Sequence, residues 1–255
     1  MAEFQHIKFE VDDRVARITF GRPPLNILNI AMMNEIGEAL NKSAQQSDLV
    51  AIMFEAAEGS RAFSAGVAVE EHVPETIVAM LDSFHRIFRR LAQVSKPVIA
   101  IVDGAALGGG CELVAACDIV IASERAKFGQ PEIKLGVFPP VAAILLRRII
   151  GDKKAREMIL LGDVIDAPEA LRLGLVNHVV PANDLRGKAE SLIAKLRELS
   201  SSSLKLTRRA LDRADIDSEL QGVEDLYLNE LMKTEDANEG VRAFMEKRKP
   251  EWKNR

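Results

Sequence analysis

The chain has only two cysteines, Cys111 and Cys117, both set in apolar sequence. So few thiols, so placed, make neither a disulfide framework nor a metal-ligand spacing, and they suit reduced cysteines in a cytoplasmic protein. Basic charge is not in surplus either: 34 Lys and Arg against 38 Asp and Glu leave a net charge of −4. Counterion release from nucleic acid and attraction to an anionic membrane therefore lack their usual source. Local basic runs, Arg86 with Arg89 and Arg90, or Arg208 with Arg209, read as solvated helix faces. The N-terminal MAEFQHIKFEV carries acidic residues early and no continuous apolar stretch, so neither a secretory signal nor a membrane-spanning helix is expected. Internal repeats and low-complexity tracts are also absent.

What is present is the balance of a globular chain: 255 residues, 47% hydrophobic and 28% charged. Alternation at Ile7, Phe9 and Val11, a turn at Asp12-Asp13, and alternation at Ala16, Ile18 and Phe20 predict a hairpin. Helical spacing of Ile30, Met33, Ile36, Leu40 and Ala44 precedes a buried strand in VAIMFEA (50–56). A second amphipathic helix over Ile77–Leu91 precedes the strand PVIAIVDG, and DIVIAS (118–123) reads as another buried strand. FGQPEIKLGVFPP reads as loop, VAAILLRRII, KKAREMILL and PEALRLG as helices, and LVNHVV as a last strand. Parallel strands joined by helices imply an α/β fold. From Leu185 the pattern is almost wholly helical. SSSS (200–203) marks a break that divides a core of residues 1–199 from a helical region of residues 200–255.

The stretch GAALGGGCELVAACD (104–118) combines a glycine run, one carboxylate and an apolar helix. Glycines between a buried strand and a buried helix let backbone approach a ligand, and the helix start offers unpaired N–H groups. No Gly-Lys-Ser/Thr follows, and Leu113 stands where a dinucleotide fingerprint wants Gly or Ala, so the phosphate-binding readings fail. An oxyanion hole is the remaining chemistry, with a second donor from the AFSAGV turn (62–67). Glu112, in the first helical turn, and Glu132, in GQPEI, could hold a water between them and exchange protons with it. The bland alternative for Glu112 is a helix cap or dipole partner. Ser64 lacks a nucleophile elbow and reads as a turn residue. Of the four histidines, His85 lies on a polar helix face by pattern, and His72 alone is placed to line a pocket.

AFSAGV, GAALGGGCELVAACDIVIASERAKFGQPEIKLG and EGVRAFMEKRKPEW together resemble the enoyl-CoA hydratase/isomerase, or crotonase, family, from the first hairpin to the C-terminus. The resemblance implies a spiral of strand, strand, helix units with a C-terminal helical trimerisation region, assembled as a trimer or as a hexamer of two stacked trimers. It implies an acyl-CoA thioester substrate and no cofactor beyond that CoA. By matching positions, the Val67 and Gly109 N–H groups would bind the thioester oxygen, with Gly108 beside them. Glu112 and Glu132 would position water and deliver a proton to carbon. Leu25, Asn26, Phe63, Ala65 and Ala68 match segments that contact CoA, and Lys247 matches a lysine that reaches its phosphates.

Ala68 stands where many members have aspartate. GVFPPVAA (136–143), with Phe138 and Pro139, replaces the Pro-Gly-x-Gly-Gly loop of straight-chain hydratases. Those departures, with VEEHVPE, LYLNELM and the terminal EWKNR, resemble the branch that hydrates cyclohexa-1,5-diene-1-carbonyl-CoA in anaerobic aromatic degradation. A straight-chain enoyl-CoA hydratase or isomerase is the alternative within the family. A non-catalytic RNA-associated scaffold is the alternative outside it, opposed by the acidic balance.

Overall fold

The computed structural model describes residues 4–211 and 216–252; residues 253–255, which close the EWKNR segment, lie outside them. The chain opens on the expected hairpin, β1 (Ile7–Asp12) antiparallel to β2 (Val15–Phe20). Asp13 and Arg14 turn it with φ of +42° and +65°, the left-handed pair whose twist matches a two-residue hairpin. Helix α1 (Ile30–Gln45), capped by Asn29 Oδ1 on Met32 N, crosses over to β3 (Ala51–Ala56).

From there a unit repeats. β3 is followed by the short β4 (Ala62–Ser64) and α2 (Ile77–Gln93). β5 (Val98–Val102) is followed by β6 (Ala105–Leu107) and α3 (Gly109–Ala115). β7 (Ile119–Ser123) is followed by β8 (Lys127–Gly129) and, after a 3-10 turn at Pro131–Leu135, by α4 (Pro140–Ile149). This is the strand, strand, helix spiral expected from the resemblance. Helix α5 (Asp152–Leu161), β9 (Val164–Asp166), α6 (Ala167–Leu173) and β10 (His178–Val180) complete the sheets.

The first strand of each unit joins one sheet of order β1-β2-β3-β5-β7-β10, parallel apart from the hairpin. The short second strands form another, β4-β6-β8-β9, which pattern reading did not foresee. FGQPEIKLGVFPP is accordingly not all loop: it begins in β8, whose Phe128 pairs with Ile165, and holds the 3-10 turn. The two sheets turn the chain sharply between them, so the ends of β4, β6 and β8 deliver the segments that follow to one region.

Helices α7 (Leu185–Arg197), α8 (Ser201–Leu211), α9 (Ile216–Asn229) and α10 (Glu235–Met245) follow. The break falls at Glu198–Ser200, and Ser201 to Ser203 form the first turn of α8 rather than the interruption. α7 covers one face of the main sheet through Leu185, Ala189 and Ile193, while α9 adds Leu220 and Tyr227 to the principal core on the other.

Two charged positions differ from the solvated faces that pattern predicts. Arg208 is buried: its guanidinium donates to Asp118 Oδ2 (2.8 Å) and Leu91 O (3.1 Å), and to Val94 O. His85 is buried on α2 with Nδ1 2.5 Å from Glu224 Oε1 of α9. Both tie the C-terminal helices to α2, and Arg208 also to Asp118 beside β7, so their charge serves packing between elements. Both cysteines are free, and burial pushes their thiols upward. Among the described residues no helix is long and apolar enough to cross a membrane.

Candidate active site

The three glycines that open α3 each answer a different steric demand. Gly108 has φ +51° and ψ −126°, a backbone state that side chains resist, and a methyl there would stand 2.8 Å from Glu132 Oε1. A methyl on Gly109 would meet Val67 Cγ2 at 2.8 Å and Phe84 Cζ at 2.9 Å, and one on Gly110 the Ser64 carbonyl at 2.4 Å. The AFSAG turn therefore packs directly on the start of α3. A methyl on Gly66 would lie 3.5 Å from Gly109 N, which sets the two turns side by side.

This contact places two backbone donors together. Leu28 N donates to Gly66 O and Ala68 N to Leu28 O, each at 2.9 Å, which turns the Val67 N–H away from residue 28. Gly109 is the first residue of α3, so its N–H has no acceptor within the helix. Among the described residues neither N–H has a hydrogen-bond partner, and both residues line one cavity of about 80 Å³.

Glu112 and Glu132 line the same cavity. All seven residues of α3 are buried, and Glu112 is 2% exposed. It does not cap its own helix. Its Oε1 accepts from Ala142 N at 2.8 Å, at the start of α4, where Pro140 occupies the first helical position. Burial pushes the Glu112 carboxyl up to about 7, against the opposing effect of the Ala142 and Val141 N–H groups. Glu132 is raised well above its ordinary value, first by desolvation and then by the Glu112 charge. Both carboxyls are thus held high by burial, Glu132 against the opposing effect of its own N–H in the first turn of the 3-10 helix. Gln130, buried and with its amide nitrogen turned toward Glu132, donates to both carboxylate oxygens at 3.1 and 3.2 Å.

The raised carboxyls link stability to pH. Groups that bind a proton more tightly when folded give stability that is full below about 4.5 and is lost as pH rises toward about 7. The lowered pKa values of His72 and His178 act in the opposite sense, so the test is the difference: thermal unfolding followed by circular dichroism should give the wild type a more negative slope of Tm against pH across that window than the E112Q/E132Q double variant, and equal slopes would contradict the assignment.

Of the other residues expected here, Ala65, Gly108, Phe138 and Pro139 line the cavity, and so does His72. The His72 ring donates Nδ1–H to Ala68 O at 3.0 Å, and burial lowers its pKa, so it faces the cavity neutral. Leu25, Asn26, Phe63, Ala68 and Lys247 do not line it. Asn26 is buried with φ +49°; its Nδ2 donates to Ala62 O (2.9 Å) and its Oδ1 accepts from Arg22 N (3.0 Å). Ser64 Oγ donates to Asn26 O at 2.8 Å and accepts from Gly66 N at 3.2 Å, which confirms it as a turn brace. Phe63 packs on Phe20 with ring centroids 5.1 Å apart, Ala68 is buried, and Leu25 and Lys247 are exposed.

Three lining residues carry no sequence motif, Met80, Leu81 and Phe84 on α2, while Tyr227 on α9 falls within the LYLNELM segment. The first three read as an ordinary core stripe at helical spacing. Tyr227 packs edge-on to Phe138, centroids 5.1 Å apart at 72°.

A site of one buried and one half-buried carboxylate with two free backbone donors can stabilise a developing oxyanion while moving protons on and off carbon and water. Comparison with known proteins agrees with that chemistry. The family model for enoyl-CoA hydratase/isomerase matches residues 10–255. The probable enoyl-CoA hydratase echA8 of Mycobacterium tuberculosis is 41% identical over 257 residues, covering 99% of each chain. The cyclohexa-1,5-dienecarbonyl-CoA hydratase of Thauera aromatica is 39% identical, covering 96% of this chain and 95% of that one. The crystal structure of an enoyl-CoA hydratase from Mycobacterium avium subsp. paratuberculosis K-10 superposes with a TM-score of 0.88 at 30% identity, over 99% of this chain and all of that one. With the spiral fold, the paired turns and these relatives in agreement, the chain belongs to the enoyl-CoA hydratase/isomerase, or crotonase, family.

Proposed function

We propose that this protein adds water to a short, planar, conjugated acyl-CoA thioester, and that the acyl group is the cyclohexa-1,5-diene-1-carbonyl ring. The coarser statement, an enoyl-CoA hydratase-type lyase, rests on the family and its named relatives. The observation that carries the mechanism is the convergence of Glu112, Glu132 and the Val67 and Gly109 N–H groups on one cavity.

In this reading the thioester oxygen sits between the two N–H groups, which stabilise the charge it gains as water attacks. Glu112, anionic at rest, orients the water and takes one of its protons. The water oxygen bonds to an acyl carbon as the C=C π bond breaks, and Glu132 gives its proton to another carbon of the conjugated system. Proton transfer from Glu112 back to Glu132 restores the resting pair. Acid, base and oxyanion stabilisation all come from the chain, so the reading includes no cofactor beyond the CoA of the substrate.

Support for the ring comes from the cavity wall. Pro139 and Pro140 fix the entry to α4, and Phe138 and Tyr227 present aromatic surface beside them. A straight-chain substrate such as crotonyl-CoA is the second reading, favoured by the cavity's about 80 Å³, since a cavity that admits benzene elsewhere is roughly 150 Å³. A side-by-side assay with the cyclic diene and crotonyl-CoA, reading the mass of one added water, decides: preference for the diene is expected, and preference for crotonyl-CoA would replace the ring by the short chain.

The same reading takes the chain to assemble as trimers or as stacked trimers through its C-terminal helices. Leu206, Leu211 and Phe244 are 61%, 78% and 55% exposed there, an apolar surface on α8 and α10 that a partner copy would cover. Sedimentation equilibrium reads the assembly directly, and a monomeric mass would contradict it.

A further inference from the structure

Tyr227 is the only tyrosine in the chain, and α9 carries it 1% exposed into the wall of the catalytic cavity. Its ring is held edge-on by Phe138 at 5.1 Å. The hydroxyl makes no hydrogen bond to the described residues, and it is not among the sealed-in orphan atoms, which are on Ser60, His85 and Ser123, so its oxygen is open to the cavity that Tyr227 lines. Packing alone does not need that oxygen, because a phenylalanine would fill the same aromatic contact. Burial, and then the charges of Glu132 and Glu112, push the phenol further up, so its O–H is a donor at neutral pH.

We propose that Tyr227 is a third catalytic polar group of this site, whose hydroxyl donates a hydrogen bond to the oxygen being added to the acyl group, first the attacking water and then the product hydroxyl. This rests on the hydratase reading above and deepens it. A water in this cavity has two protons and two lone pairs to place. One proton goes toward Glu112, and one lone pair forms the new C–O bond as the π bond breaks. The O–H of Tyr227 engages the second lone pair and so fixes which lone pair faces the acyl carbon. Tyr227 loses no proton itself; the proton that reaches carbon comes from Glu132. In the reverse direction the same bond stabilises the departing hydroxyl.

The distinguishing feature is dependence on the substrate's own hydroxyl. Calorimetric titration would compare a hydroxyacyl-CoA with its deoxy counterpart, in the ring series (hydroxycyclohexene-carbonyl-CoA against cyclohexene-carbonyl-CoA) and in the chain series (3-hydroxybutyryl-CoA against butyryl-CoA). Tyr227→Phe is expected to weaken the hydroxylated thioester about tenfold and to leave the deoxy one unchanged, with kcat for hydration down about tenfold and KM little altered. Unchanged deoxy binding also reports an intact fold. Equal affinities for the hydroxylated thioester in wild type and Y227F would overturn the role of Tyr227 while leaving the hydratase reading in place. Wild-type protein that bound no thioester of either series would overturn both.

Discussion

Glu132→Gln is expected to fold as the wild type does and to lose about 10³-fold in kcat for hydration, within the range that removal of a positioned acid costs. Glutamine keeps the shape of the side chain and one acceptor oxygen for Gln130 but has no proton to give to carbon. The backbone placement does not depend on the carboxyl, because the 3-10 turn at Pro131–Leu135 fixes it. The substitution also removes a carboxyl whose ionisation burial disfavours, so Tm should not fall. KM should change little, since binding of the CoA portion does not involve the acid. Steady-state kinetics at neutral pH alongside a melting curve test this, and a folded E132Q enzyme with full turnover would remove Glu132 from the mechanism.

Gly108→Ala should cost about 10²-fold in kcat while leaving a folded protein. The added methyl would fall 2.8 Å from Glu132 Oε1, and that oxygen is the free end of a side chain that can swing aside. The fold therefore survives and the acid does not stay in place. Backbone strain at φ +51° adds about 1–3 kcal/mol of destabilisation. Gly110→Ala makes the contrast, since its methyl meets the Ser64 carbonyl at 2.4 Å and backbone cannot step aside. Two neighbouring glycines thus separate into one whose loss disables the acid and one whose loss unfolds the turn. Activity and Tm measured on both variants check the separation, and a fully active G108A would contradict the geometry around Glu132.

Much of this was legible beforehand because the main sheet announces itself. β3, β5 and β7 are short apolar runs, and α1 and α2 carry a clear helical stripe. The second sheet was not, since Ala62–Ser64, Ala105–Leu107, Lys127–Gly129 and Val164–Asp166 are three residues each and too short to show a period of two. Yet that sheet is what brings the AFSAG turn, the start of α3 and the Glu132 turn together. That the two glutamates face one pocket was readable from residue type and context. The anchoring of Glu112 by α4 was not, because a contact across 30 residues leaves no local trace.

Met80, Leu81 and Phe84 were hidden for another reason, and Tyr227, though inside LYLNELM, was not singled out within it. A residue lining a small apolar cavity has the same helical spacing as one filling a core, so pattern cannot tell them apart. Arg208 and His85 escaped in the opposite direction: polar residues on amphipathic helices read as solvent-facing until α8 and α9 cover them. Asn26 and Phe63 show a further limit. A motif position can be occupied by a residue whose side chain braces the turn or fills the core, as both do here.

The step proposed for this site is addition of water to an acyl-CoA by Glu112 and Glu132 sharing one proton. Its most direct test is a mass-resolved hydration assay in ¹⁸O-labelled water, comparing wild type with the E112Q/E132Q double variant on both conjugated thioesters. The predicted result is one labelled oxygen incorporated by the wild type, and none above background by a double variant that is folded. Retention of hydration by the double variant, or no incorporation by the wild type on either thioester, would contradict it.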